Sequence, residues 1–527
     1  MPTRRSVLLS AGSVLAAPTL AQAQDNRVLR FVPQSDVGVL DPVWTGAYVT
    51  RNHAALIFDT LYGLDSQFRV QPQMAEGHTV ENDGKLWTIR LRDGLLWHDG
   101  EKVLASDAVA SIRRWAVRDA FGDALIAATD ELSAPDDRTI RFRLKRPFPL
   151  LTYALAKPGS PQAFIMPERI ARTDPYRQIT ELVGSGPFRF NTAERVVGAR
   201  LVYDRNDRYR PREDGTPDFL AGPKRAQIER VEWQVIPDAS TAAAALQRGE
   251  VDWWEAPGFD LLPLLGRNRN ISVAVQDPTG SMLTLRFNQL QPPFNNPAIR
   301  RAILPALNQA DYVMAAAGEN SDYWRTGVGV FPPGTPLANQ AGLDALAGPR
   351  DLDKARRALE VAGYRGERVA LLVPTDLPVL KAAGEIGADL FRRIGFNLDL
   401  QAQDWGTTQQ RLAKRDPVDQ GGWSAFHVTW AGADQLNPGV HQFLRGNGAA
   451  SRVGWPDSPR IEALRDQWLS ATDDEARQRL AADLQRQGLE DLPYVPLGQV
   501  IPRTAYRRNI SGILSGGYPV FWNLRKG

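Results

Sequence analysis

The sequence predicts an α/β fold organised as two or three domains, and three observations carry that prediction. Residues 231–254 read as one βαβ unit: strand Val231–Ile236, helix Ala239–Arg248 opened by Asp238 and closed by Gly249, and strand Val251–Trp254. Such a unit favours parallel strands covered by helices. Strands of period 2 and helices of period 3.6 recur along most of the chain. Without its leader the chain keeps about 500 of its 527 residues, enough for two or three domains of ~100–200 residues each.

The leader comes first. Arg4 and Arg5 precede an apolar run from Val7 to Leu20, and Ala21-Gln22-Ala23 follows. This is the charged, apolar, small-residue order of a secretory signal, with cleavage after Ala23. The run is short for a membrane span of ~20 residues. Thr3-Arg4-Arg5 fits a twin-arginine signal, and an ordinary Sec signal with two arginines fits as well. There is no cysteine, which excludes disulfides and a lipid-bearing cysteine, so a free periplasmic protein is expected. Net charge is +3, falling to +1 when Arg4 and Arg5 leave with the leader. The charges are mixed, with no basic stripe, so no nucleic-acid partner is expected.

The elements then follow in order. Asp36 to Pro42 is extended and then turns, because the residue before a proline avoids the helical region. A helix is predicted over 50–61. Leu86–Leu91 alternates as a strand, and Leu95–Trp97 reads as its hairpin partner between Asp93-Gly94 and Asp99-Gly100. Ser106 is placed to cap a helix bearing Val109, Ile112 and Ala116 on one face. Thr139–Leu144 alternates, and Gly184-Ser185-Gly186-Pro187 turns into the strand Phe188–Phe190. Ser281–Phe287 is a strand. A helix from Asn296 towards Asn308 is interrupted by Pro305. Helix 352–362, strand 369–373, helix 379–394 and strand 396–402 alternate. Trp423–Trp430 is a strand leading to Gly432, Asp434 and Asn437-Pro438. Thr472 with Glu475 is a capping box for the last long helix.

Nine stretches, in order from Ser35 to Leu497, carry a resemblance: SDVGVLDP, IFDTLYGLD, LRDGLLWHDGEKVLASDAV, VGSGPFRF, ALQRGEVDWWE, FNQLQPPFNNPAIRRAI, ARRALEVAGY, ADLFRRIGFNLDLQAQDW and DLPYVPL. Together they make the chain resemble the extracellular solute-binding proteins of family 5, which serve peptide, dipeptide, opine and nickel ABC importers. The resemblance implies a two-lobed, hinged fold with two crossing segments and a ligand between the lobes. It implies a first lobe of 24–61, 184–277 and 491–527, an inserted subdomain of 62–183, and a second lobe of 278–490. The crossings are then expected near 277–280 and 489–492. A membrane permease and a separate ATPase are the implied partners, and a monomer the implied state.

The same resemblance places Asp434 where peptide-binding relatives pair with an α-ammonium. Physically, an ammonium taken out of water needs a charge partner and hydrogen bonds. The alternative is a turn or cap aspartate. Trp430 is expected to stack on the ligand or to pack in the core. Asp36, Val37 and Gly38 lie in a loop, and Met282 in a strand, whose backbones pair with an extended ligand in relatives. Trp405 is a further candidate wall. His427 stands where some relatives carry an arginine and is expected behind the ligand rather than against it. After the strand 369–373, where relatives carry a cation for the ligand carboxylate, this chain has Pro374-Thr375-Asp376-Leu377-Pro378; Arg411 or Arg415 is left to compensate.

The five histidines show no metal-ligand spacing, and no cofactor motif is present, so neither metal nor cofactor is expected. No G-x-S-x-G, S-x-x-K, H-E-x-x-H or G-K-[ST] occurs. The expected function is capture of a short peptide or other amine-bearing solute, or else an opine-like conjugate or metal chelate. A periplasmic hydrolase is the alternative from another class.

Overall fold

A computed structural model describes residues 27–527; the leader with Arg4, Arg5 and its cleavage site lies outside the described residues. Two mixed sheets organise the chain. The first has seven strands in the order Phe188–Phe190, Arg200–Arg205, Arg230–Gln234, Val28–Val32, Trp253–Trp254, Arg503–Arg507, Ile271–Val275. The second has six, in the order Trp324–Arg325, Val495–Val500, Ser281–Phe287, Ala425–Ala431, Arg368–Pro374, Asn397–Gln403. A separate antiparallel sheet of four strands within 75–144 builds the inserted part.

Local chemistry explains the elements that position the lobes. Asp238 Oδ1 accepts the Thr241 N–H at 2.7 Å and Gly249 takes φ +79°, so helix Ala239–Arg248 starts and stops where polar cap and glycine dictate. The strands flanking this helix are parallel members of one sheet but do not touch. Val28–Val32 lies between them and pairs in parallel with both. Helix Pro378–Ile394 buries Leu380, Ala383, Ala388 and Phe391 and ends at Gly395 with φ +101°.

Several expectations are corrected. Leu95–Trp97 is not the hairpin partner of Leu86–Leu91: it turns at Asp99-Gly100 onto residues 101–103, with Trp97 donating to the Glu101 carbonyl at 2.8 Å and Val103 to that of Leu95 at 3.1 Å, and Leu86–Leu91 pairs instead with Ala75–Glu81 and Thr139–Leu144. Helix Ala105–Ala116 is capped by Asp107, whose carboxylate accepts the Leu104 N–H, and not by Ser106. The predicted helix after Asn296 stops at Arg301, since Pro305 cannot donate within a continued ladder. Asp473, not Thr472, caps the helix Asp474–Asp491.

The second crossing also moves. Val495–Val500 is fully buried and pairs with Ser281–Phe287, so it completes the second sheet. The chain returns to the first sheet only at Arg503, so the crossing lies after Val500 rather than near 489–492. At the other crossing the chain passes from Val275 in the first sheet to Ser281 in the second. The apolar core of the inserted part runs on into the second lobe. Gly439 makes that contact possible, since a Cβ there would come within 2.8 Å of the Phe121 ring.

Candidate functional site between the lobes

Strand Ala425–Ala431 lies between Ser281–Phe287 and Arg368–Pro374, and its side chains alternate. Phe426, Val428 and Trp430 face the inserted part, while Ala425 packs into the core on the opposite face. The strand ends in a tight turn against the first crossing. Gly432 donates to the Gly280 carbonyl at 2.7 Å, and a Cβ at Gly432 would sit 2.2 Å from the Thr279 oxygen, so only glycine fits. This turn delivers Asp434, whose residue is 4% exposed.

Asp434 Oδ1 accepts the Ser160 N–H from the inserted part at 3.0 Å; Oδ2 makes no hydrogen bond of good geometry, although the Tyr48 hydroxyl lies near enough to the carboxylate to favour its charged form. Burial raises the Asp434 pKa; the charges of Arg51 and Lys157 oppose the rise. Lys157 is already committed to a buried ion pair with Asp119 at 2.7 Å. From the first lobe, the Tyr48 hydroxyl accepts the Ala431 N–H at 3.0 Å, and its ring meets Trp430 at 6.2 Å between centroids. The Arg51 guanidinium lies 5.0 Å from the Tyr48 ring centroid and 4.3 Å from that of Tyr518. Arg452 lies 4.9 Å over Trp430. Gln276, Gln435 and Gln499 each donate through Nε2 and leave a buried Oε1 without a partner.

A cleft of about 250 Å³ lies between residues 117–123 of the inserted part and 442–452 of the second lobe. Two of its walls touch the surroundings of Asp434: Asp119 through Lys157, and Arg452 through Trp430. A larger groove of about 1020 Å³, lined by Leu304, Arg350 and Lys354, includes no residue of the first lobe and therefore cannot couple ligand to closure.

The other candidate residues separate. Met282 stands opposite Trp430 and is buried, but Ser281 and Met282 are paired with strands on both sides, so their backbone is not free to pair with a ligand. Asp36 accepts the Gly198 N–H at 3.1 Å and the Val37 carbonyl accepts from Arg195 at 3.0 Å, which ties that loop to its own lobe. Gly38 is exposed. Trp405 begins the helix Trp405–Leu412, donates its N–H to Asp376 at 2.8 Å and packs half-buried on the second lobe's cores. Arg411 donates to the Gly422 carbonyl at 2.7 Å and Arg415 to that of Ala449 at 3.0 Å. Both guanidiniums are thus engaged by backbone carbonyls of the second lobe.

His427 does not belong to the ligand-facing set. It lies on the opposite face of its strand, with its ring 5.8 Å from that of Tyr312, and a Cβ on Gly387 would come within 2.3 Å of it. The three-residue offset from Trp430 puts the two on opposite faces of a strand. Burial lowers the pKa of His53, His427 and His441 to about 3, and that of His98 to about 4. Burial raises Asp277 to about 6 and Glu255 to about 7.

These shifts set a pH profile. The histidines titrate near 6.5 when unfolded, so the stability they confer is complete above that value and is lost as pH falls towards 3–4. The two acids act in the opposite sense: each stabilises the fold as pH drops from its folded value to its unfolded value near 4. Denaturant titrations should show nearly level stability from pH 7 to 6.5 and a decline below 6. The decline should steepen below about 4, where the acids stop offsetting. Each buried histidine contributes up to ~1.36 kcal/mol per pH unit to it. A profile level from pH 6.5 to 4 would contradict burial of the neutral rings.

Among the described residues, no group of three or more histidine, aspartate or glutamate side chains is arranged to hold a metal, and no helix is long and apolar enough to cross a membrane. Sequence reasoning missed Tyr48, Arg51, Ser160, Arg452 and Tyr518. One signal was present for Arg51: it sits within Thr50-Arg51-Asn52-His53, a polar run inside a helix that is nearly all buried.

Comparison with known proteins places this geometry. The chain is 38% identical over 524 residues, covering 98% of both chains, to a protein named a probable peptide ABC transporter periplasmic-binding protein, y4tO, of Sinorhizobium fredii. Its fold matches DppA of Helicobacter pylori in complex with the peptide STSA, with a TM-score of 0.78 and 22% identity over 96% of this chain and 99% of that one. It also matches AgaA of A.tumefacien R10 in complex with agropinic acid, with a TM-score of 0.77 and 19% identity over 95% and 99%. Residues 69–450 match the family described as bacterial extracellular solute-binding proteins, family 5 Middle. With 382 of its residues inside that match and a relative aligned end to end, the chain belongs to family 5 of the bacterial extracellular solute-binding proteins.

Proposed function

We propose that this protein is the periplasmic binding component of an ABC importer that captures a short peptide or other amine-bearing solute between its lobes. The name of the Sinorhizobium relative supports the peptide class. The observation that carries the reading is Asp434, a buried carboxylate with one oxygen unpartnered at the joint between lobes. A buried carboxylate is costly unless paired, and an ammonium pairs it. The unpartnered acceptors of Gln276, Gln435 and Gln499 also call for a ligand rich in N–H donors.

The mechanism is capture and delivery. Tyr48 of the first lobe reaches Ala431 of the second only when the lobes meet. A ligand that touches both lobes favours the closed form by its extra contacts there. The closed complex then docks on a membrane permease. The protein acts as a monomer, catalyses no reaction, and is exported with the leader of residues 1–23 removed. The lobes are assigned as 24–61 with 184–277 and the segment after Val500, the inserted subdomain 62–183, and the second lobe from Pro278 to Val500.

Binding of dialanine or trialanine is expected to shrink the radius of gyration measured by small-angle scattering. It should also stabilise the fold by RT ln(1 + [L]/Kd), roughly 2.7 kcal/mol at a hundred-fold excess over Kd. Stabilisation with no compaction at saturation would sink the closure mechanism.

A further inference from the structure

The segment after strand Arg368–Pro374 carries no cation in Thr375-Asp376-Leu377-Pro378, and Arg411 and Arg415 are held by backbone carbonyls. The joint between the lobes nevertheless holds a guanidinium that forms no ion pair among the described residues, although its charge acts on the buried carboxylates of Glu255, Asp277 and Asp434. Arg51 is 3% exposed in the first lobe. Its Nε and Nη2 both donate to Asn52 Oδ1, at 3.2 and 3.1 Å, and Nη2 reaches the Gly517 carbonyl at 3.5 Å. Its Nη1 has no partner, and it forms no ion pair among the described residues. The rings of Tyr48 and Tyr518 hold the guanidinium, which fixes its direction at little further entropic cost.

Two further facts point the same way. Tyr48 touches Arg51 with its ring and the backbone N–H of Ala431 with its hydroxyl, which also acts on the Asp434 carboxylate, so cation and carboxylate meet at one tyrosine. Arg51 is close enough to favour the charged form of Asp434, yet the two are not paired with each other. Arg51 also lies in the first turn of helix Tyr48–Ile57, which has no side-chain cap and no acidic residue there. The positive end of that helix therefore adds to its field.

We propose that Arg51 takes a carboxylate of the ligand through Nη1, so that the ligand is a zwitterion whose ammonium meets Asp434 and whose anionic group meets the first lobe. Each lobe then supplies one charged anchor, and a ligand lacking either charge leaves a buried ion unpaired. The inference rests on the amine-anchoring reading above and adds the second charge to it.

The test uses dialanine and trialanine, each with a free carboxylate, as the C-terminal amide, and in N-acetylated form. These are titrated by calorimetry into wild type, Arg51→Gln and Arg51→Lys, with melting curves to show that each variant folds. Amidation is expected to weaken binding to wild type by roughly 10- to 100-fold, as for loss of a charge-assisted hydrogen bond. Arg51→Gln should weaken the free acids by a similar factor and leave the amides nearly unchanged, and Arg51→Lys should restore part of the discrimination. Equal binding of acid and amide to wild type overturns the inference, as does a variant that weakens both forms alike, which would make Arg51 a scaffold for Tyr48 and Tyr518. The acetylated peptides report on the other anchor. If they bind as tightly as the free amines, the amine reading fails instead.

Discussion

Alanine at Asp41 is expected to destabilise the folded chain by about 3–5 kcal/mol, as for removal of one partner from a buried ion pair. The Arg114 guanidinium holds Asp41 bidentately, with Nη1 to Oδ1 at 3.2 Å and Nη2 to Oδ2 at 2.7 Å. The two side chains are 2% and 0% exposed. Asp41 also accepts the N–H groups of Val43 at 2.9 Å and Ile179 at 3.0 Å. Its loss strands a buried guanidinium and three backbone donors at once, those of Val43, Trp44 and Ile179. Asp41→Ala with Arg114→Met should cost much less than the sum of the two single changes, because both remove one interaction. Equilibrium denaturation with urea reads all three. A single-variant cost under about 1 kcal/mol would show that water or a rearranged loop replaces the pair. The consequence for the motif is direct: Asp41, the second aspartate of SDVGVLDP, ties the first lobe to the inserted part and does not wait for a ligand.

Much of the fold was legible because it is local. The alternation of Leu86–Leu91 and Thr139–Leu144, the Asp238 cap and the Gly249 and Gly395 terminators act within a few residues, and the structure has each of them where the sequence puts it. Adjacency was not legible. Nothing near residue 231 announces that Val28–Val32 will slip between Arg230–Gln234 and Trp253–Trp254. Likewise, Val495–Val500 carries two prolines' worth of turn signals nearby at Pro493 and Pro496, which disguise a buried strand of the second sheet. The site divides in the same way. The strand and the glycine turn that present Trp430 and Asp434 are continuous in sequence. Tyr48, Arg51, Ser160 and Tyr518 come from the first lobe and the inserted part, and only the two crossings bring them to that turn. His427 follows from the strand period once Trp430 is placed. The both-sided pairing of Met282 does not, since it depends on the distant strand Val495–Val500.

Asp434→Asn is expected to weaken binding of amine-bearing peptides by about 2–5 kcal/mol, as for truncation of a desolvated charge pair. At ~1.4 kcal/mol per decade this is roughly 30-fold to several thousand-fold in Kd. Asparagine keeps the shape of the side chain and an acceptor for the Ser160 N–H, so the turn and the contact with the inserted part survive. In the ligand-free protein the change removes a charge whose burial already opposes ionisation, so melting should not fall. N-acetylation of dialanine should weaken binding to wild type by a similar amount. The combination of Asp434→Asn with the acetylated probe should cost little more than either change alone, since each removes the same ion pair. Calorimetry on the four combinations, beside a melting curve for each protein, separates anchoring from a structural role. Strict additivity, or a fall in melting temperature with unchanged affinity, would make Asp434 a turn residue, leaving the ammonium to be met by the glutamine carbonyls.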